Sequence, residues 1–256
     1  MTKDLNMQTF GKFSTNFDTE YLTEHYIYIN EKDDDREDIN ISIDDLKNML
    51  KKRRKTVAGT IFLYNPTISP IGYNTDKKLS DQDFEFDDEF HELTFNNMMN
   101  LFSKSIRDGY RGQLIEIKYL FNINKPDIEP TPILEEFDSD LNMYNSNQFT
   151  RYDKNLNYHD YLNIRLTGKF VYFASGHKYD RHHKEIIKYA RNIAAQAQKL
   201  GKEISFTYDN NQYENECVEH SYFLAPLVAG KMRDIRANAF KNAFRTNPPT
   251  IQKIGS

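Results

Sequence analysis

The sequence has 256 residues, a formal net charge of −4 and one cysteine, Cys217. A chain of this length can bury a sizeable core, and a single thiol excludes an intrachain disulfide framework. No apolar run approaches the roughly 18 residues of a transmembrane helix, and the polar opening MTKDLNMQTF predicts no signal peptide. We therefore expect a protein of a cytoplasm, or of an assembly built there.

The first part of the chain predicts strands that flank a capped helix. Residues 1–23 predict irregular structure, and the alternating residues 25–30 predict a short strand. Ser42 and Asp45 have the spacing of a capping box, so a helix should begin there and end in the basic run 51–55. Further elements are expected as a buried strand at 57–64, an edge strand at 81–89, a helix at 90–106 and a strand at 114–121.

The second part predicts a crossover unit. Residues 161–174 contain one or two strands, 180–200 form the most regular helix with Gly201 as its C-terminal cap, and 202–208 form a strand. If this unit is a crossover, its two strands are parallel. Residues 231–245 predict a basic helix, whose Phe240 and Phe244 could stack on bases or pack on a neighbour.

Together these elements predict an α+β fold with mixed sheet, a C-terminal strand-helix-strand unit and a terminal basic helix. The expected regions are an acidic one at 1–123, a Pro- and Asn-rich linker or excursion at 124–160 and a basic one at 161–256, unless all three form one domain.

The densest polar loop lies between a predicted strand and the following helix. Ligands of open α/β sheets bind at such ends of strands, and a helix N-terminus attracts anions. The residues that could bind an anion or nucleic acid there are His177, Lys178, Arg181, His182 and His183. His177 and His182 could also bind a metal together with Asp180, although the spacing matches no known metal-binding motif. The alternative is a polar loop whose histidines are exposed or locally hydrogen-bonded.

A nuclease-like pattern consists of Asp108, Glu116 and Lys118. An acid followed by acid-x-Lys on a strand can hold Mg²⁺ and orient a water molecule. Strand alternation explains the same residues more simply, with Ile115 and Ile117 on one face and Glu116 and Lys118 on the other. No cofactor is expected unless this nuclease alternative holds, in which case Mg²⁺ is.

Basic residues cluster at 51–55 and again at Lys231, Arg233 and Arg236. Such clusters can neutralise phosphates, although the first could simply end a helix. The acidic stretches 33–38 and 81–89 lack the pattern of a calcium-binding loop, and nothing marks Cys217 as an activated nucleophile.

Charge is unevenly distributed along the chain. Residues 1–150 contain 17 basic and 28 acidic residues, whereas residues 151–256 contain 17 and 10. Opposite charge on two regions suits head-to-tail contact between subunits, or attraction between the two regions of one chain.

Three classes of function follow from these patterns. The leading hypothesis is a structural protein of a multi-subunit particle, such as a bacteriophage connector or tail component, because no catalytic motif stands out. Its partners would be copies of itself or other subunits, in a bacterial host cytoplasm or in a virion. The high Asn, Lys and Ile content, typical of AT-rich genes, favours such an origin. The alternatives are a nucleic-acid-binding protein of a phage or plasmid, and a Mg²⁺ nuclease or phosphate-handling enzyme.

Overall fold

A mixed β-sheet forms the centre of the described part of the chain. The computed structural model describes residues 7–16, 19–32, 38–63, 85–86, 108–119, 123–124, 166–174, 183–209 and 233–254. The strands are β1 (Met7–Asn16), β2 (Thr19–Ile29), β3 (Glu31–Lys32), β4 (Asp38–Ile39), β5 (Val57–Leu63), β6 (Glu85–Phe86), β7 (Leu114–Tyr119), β8 (Ile123–Asn124), β9 (Phe170–Phe173), β10 (Glu203–Asp209) and β11 (Gln252–Ile254). The helices are α1 (Ile43–Lys51), α2 (Arg53–Thr56), α3 (His183–Lys199) and α4 (Arg233–Ala243), with a 3₁₀ turn at Asp108–Tyr110.

Nine of these strands pair in the order β11-β10-β9-β5-β7-β2-β1-β6, with β8 also paired to β2. The five strands from β11 to β7 are mutually parallel, and β2, β1 and β6 continue the sheet in antiparallel fashion. Strands β3 and β4 form a separate hairpin. The predicted α+β fold with mixed sheet is confirmed.

The predicted strand-helix-strand unit is also confirmed. Strands β9 and β10 are parallel neighbours, with Phe170 opposite Glu203 and Phe173 opposite Phe206. Helix α3 connects them and packs on both through its small and apolar side, including Ala190, Ile193 and Ala194. An amphipathic helix of this length provides the crossover that two parallel strands require.

The expectation of irregular structure at residues 1–23 is wrong for residues 7–16 and 19–23, the part of that range that the structure describes. Strands β1 and β2 form a long antiparallel hairpin that extends from the pair Met7–Ile29 to the pair Asn16–Thr19. The polar residues of β1 give a weak local signal, because its pairing partners rather than its own composition stabilise it. Strand β6 pairs with β1 at Phe10 and Gly11, so part of the predicted acidic edge strand is present.

Aromatic side chains dominate the core on the α4 side of the sheet. The rings of Phe240 and Phe244 pack against each other at 4.8 Å, and the ring of Tyr172 lies 4.9 Å from that of Phe244. Both phenylalanines are fully buried. The idea that they stack on bases is therefore wrong: they bind α4 to its own sheet.

Helix α1 covers the opposite face of the sheet near β2. The Ser42 hydroxyl accepts a hydrogen bond from the Asp45 backbone N–H, and the Asp45 carboxylate accepts one from the Ser42 backbone N–H. The Ser42 hydroxyl also donates to the Asp45 carboxylate at 2.6 Å, and this bond together with the one from the Ser42 backbone N–H lowers the pKa of Asp45. The predicted capping box is thus confirmed, and it aims Leu46 into a cluster with Tyr26 and Leu114.

Several predicted elements lie outside the described residues, including the helix at 90–106 and nearly all of the linker at 124–160. The division into three regions stays a prediction, although the sheet contains strands from the first and the last of them. Of the helices that the structure describes, none is long and apolar enough to cross a bilayer.

Candidate anion-binding cleft

The amino ends of three parallel strands meet at one edge of the sheet. Strand β5 pairs with β9, and β9 pairs with β10, so that Gly59, Phe170 and Glu203 lie in one row. The segments that lead into these strands, 51–56, 166–169 and 199–203, must therefore lie side by side. Eight of their residues are basic and one, Glu203, is acidic.

The segment before β5 carries the basic run that the sequence analysis identified. The Arg53 Nη2 donates to the Glu24 Oε2 at 2.6 Å, and the guanidinium lies 5.3 Å from the ring centre of Tyr26. The Tyr26 hydroxyl donates to the same carboxylate oxygen at 2.8 Å. These contacts anchor Arg53 on β2, whereas its neighbour Arg54 is exposed.

A tight turn leads into β9. Gly168 has a φ of +79°, and a Cβ on it would lie 2.5 Å from the backbone of Ala58. The Lys169 N–H donates to the Ala58 carbonyl at 2.7 Å, and the Thr60 hydroxyl lies 3.3 Å from the Thr167 carbonyl. Glycine permits both the left-handed backbone and the close approach, so the turn lies directly against β5.

The C-terminal cap of α3 positions a lysine beside this turn. The Lys202 N–H donates to the Ala197 carbonyl at 3.0 Å, and the Gly201 N–H donates to the Gln198 carbonyl at 2.9 Å. With a φ of +72° at Gly201, this is a Schellman motif, and it confirms the predicted glycine cap. The Lys202 Nζ then donates to the Gly168 carbonyl at 2.6 Å, which ties the two segments together.

The three segments enclose a cleft of about 460 Å³, which we call the amino-edge cleft. Its lining residues are Arg53, Arg54, Leu166, Thr167, Gly168, Leu200 and Lys202. Three of these residues are cationic, and none is acidic. In the described part of the chain, neither Arg54 nor Lys202 forms an ion pair. The cleft is thus a positively charged environment.

Two polar groups of the lining residues are buried with no hydrogen-bond partner among the described residues: the Thr167 Oγ1 and the Arg53 Nε. Thr167 is 6% exposed. A buried donor without an acceptor costs free energy, but neither atom has accessible surface through which a ligand in the cleft could reach it. Lys202 retains ammonium protons beyond the one donated to Gly168, because an ammonium has three. These protons and the exposed guanidinium of Arg54 suit an anionic oxygen ligand.

The structure describes only three of the residues that the sequence analysis selected for anion binding. His177, Lys178, Arg181, His182 and Lys231 lie outside the described residues. His183 and Arg233 are the first residues of α3 and α4, and Arg236 is half-buried on α4. Their role in binding stays a prediction.

The residues of the nuclease pattern lie on β7 and in the turn before it. Glu116 is buried, and its carboxylate lies 3.3 Å from both the Lys118 Nζ and the Thr60 hydroxyl. Asp108 begins the 3₁₀ turn before β7. Among the described residues, no three His, Cys, Asp or Glu side chains cluster as metal ligands would. The nuclease alternative stays a prediction.

Sequence reasoning identified the run 51–55 but missed Thr167, Lys169 and Lys202 as its neighbours. None of these three residues belongs to a local motif. The available signal was the predicted parallel unit, because parallel neighbours place their amino ends at the same edge of a sheet. Combining that unit with a third parallel strand, β5, would have brought the cations together.

Comparison of the chain with protein-family models, with curated protein sequences and with solved structures found no match. Function must therefore be argued from the geometry of the cleft.

Proposed function

We propose that this protein binds nucleic acid through the amino-edge cleft. The supporting observation is the concentration of cations there, in segments that contain eight basic residues and one acidic residue. A polyanion would release condensed counterions on binding to these side chains, and this release drives nucleic-acid affinity at low salt. In this proposal Arg54 and Lys202 contact backbone phosphates, while Arg53 is held by Glu24 at the back of the cleft.

The salt dependence of binding by the variant Arg54→Gln/Lys202→Gln tests this proposal. Fluorescence anisotropy with a labelled oligonucleotide gives the slope of log K against log salt concentration. Each lost phosphate contact should reduce the steepness of that slope by about 0.7 for a single strand or 0.9 for a duplex. Glutamine at position 202 keeps a donor for the Gly168 carbonyl, so the turn should stay in place.

The matched control is Arg245→Gln/Lys253→Gln, which removes the same charges from exposed positions after α4 and in β11. This control should bind like the unchanged protein. If the control variant loses affinity and the cleft variant does not, nucleic acid binds at the surface that contains Arg245 and Lys253, and the cleft proposal is wrong. Absence of binding to any nucleic acid at low salt rejects the function itself.

A second proposal is that the chain assembles with copies of itself or with other subunits of a particle, such as a phage connector or tail component. The opposite charge of residues 1–150 and 151–256 supports it, because contacts between such regions attract at low salt. We expect light scattering at high protein concentration to give an oligomer whose mass decreases as salt is added. A monomer at all concentrations and salts would contradict self-assembly.

A further inference from the structure

The amino-edge cleft combines cations with apolar surface. Leu200 directly follows α3 and is 51% exposed, and the half-buried Leu166 lies on the opposite segment. Both leucines line the cleft together with Arg53, Arg54 and Lys202. Leu200 is thus an exposed apolar residue in a basic cleft.

The size of the cleft limits what can enter it. A volume of about 460 Å³ lies within the range of roughly 300–1,000 Å³ that is typical of small-molecule sites. Such a space fits a nucleotide-sized group, whereas a double helix could touch only its rim. In a duplex the bases are stacked inside, so the backbone phosphates would meet the cations and the leucines would stay uncovered.

The charged donors and the leucines of the cleft suit different parts of one ligand. The remaining ammonium protons of Lys202 and the exposed guanidinium of Arg54 suit phosphate oxygens, because charged donors form short hydrogen bonds with an anion. Leu166 and Leu200 suit the apolar face of a sugar and a base, which a single strand presents freely. A single nucleotide unit contains both a charged phosphate and the apolar face of a sugar and a base.

We propose that the amino-edge cleft receives one nucleotide unit of a single strand, with its phosphate on Arg54 and Lys202 and its sugar and base on Leu166 and Leu200. This inference rests on the proposed nucleic-acid function and adds a preference for single strands. The preference arises because only an unpaired base can cover the leucines.

The test compares a short oligothymidylate with a mixed-sequence duplex that has the same number of phosphates, with tripolyphosphate as a competitor that has charge but no base. At about 100 mM salt we expect the single strand to bind about tenfold more tightly than the duplex. Leu200→Ser should weaken single-strand binding about fivefold and leave duplex binding unchanged, because half of a leucine side chain is lost from the contact. Tripolyphosphate should compete only weakly.

The matched control is Ile235→Ser, which removes an apolar side chain of similar exposure, 43%, from α4. Both positions are exposed, so thermal melting should show folded proteins in each case. The single-strand inference is overturned if duplex and single strand bind with equal affinity, or if Leu200→Ser weakens the binding of both ligands equally. Either result is still compatible with the proposed nucleic-acid binding. Failure of both ligands to bind rejects the proposed function as well.

Discussion

Gly168 and Gly201 both have left-handed backbones in the segments that form the amino-edge cleft, but their surroundings differ. A Cβ at Gly168 would lie 2.5 Å from backbone atoms of Ala58 and Gly59, whereas a Cβ at Gly201 would meet nothing within 4 Å. The first glycine is thus required by conformation and by space, and the second by conformation alone. This pair separates the two reasons for which a protein needs glycine.

Substitution of each glycine by alanine should therefore have unequal effects. We expect Gly201→Ala to lower the free energy of unfolding by about 1 kcal/mol, the cost of a left-handed backbone. Gly168→Ala should lower it by about 3 kcal/mol, because the turn must also move away from β5. Urea unfolding of the two variants measures both values. Equal losses would mean that the turn does not lie against β5 as described.

At the scale of elements, a buried hydrogen bond between two side chains joins the neighbouring strands β9 and β10, in addition to their backbone pairing. The Tyr172 hydroxyl lies 2.8 Å from the Thr207 hydroxyl, and both residues are buried. Burial raises the pKa of Tyr172 above its ordinary value. The phenol therefore keeps its proton at neutral pH and above, and the hydrogen bond persists there.

A double-mutant cycle should reveal this bond. Tyr172→Phe and Thr207→Val should each lower the free energy of unfolding by about 1–2 kcal/mol, because each leaves one buried hydroxyl without a partner. The double variant should lose about 1 kcal/mol less than the sum of the single losses. Urea unfolding of the four proteins gives the coupling energy. Strictly additive losses would show that the two hydroxyls are not bonded in solution.

Elements with strong local signals were predictable from the sequence. Ser42 and Asp45 form a complete capping box, and Gly201 ends α3, because capping depends on residues within a few positions of each other. Strand β1 was missed because its pairing with β2 and β6 stabilises it, whereas its own polar composition gives little strand signal. Strand β11 was missed for the same reason: its three residues are paired with the end of β10.

At the scale of the whole molecule, the cleft draws its cations from both charge regions of the chain. Arg53 and Arg54 belong to the acidic part of the sequence, and Lys202 belongs to the basic part. A division of the chain into an acidic and a basic half therefore does not predict where positive charge accumulates. Strand order decides it, and strand order depends on pairing between distant residues that local patterns do not encode.

The position of β5 has a consequence for how the protein is made. This apolar strand ends at Leu63, while its two neighbours begin only at Leu114 and Phe170. During synthesis the ribosome must therefore deliver most of the chain before both edges of β5 are paired. Until then β5 is an unpaired hydrophobic strand that other nascent chains can contact. Chains in this state aggregate, and chaperones bind them. We expect the yield of folded protein to depend on chaperone supply and on slow translation.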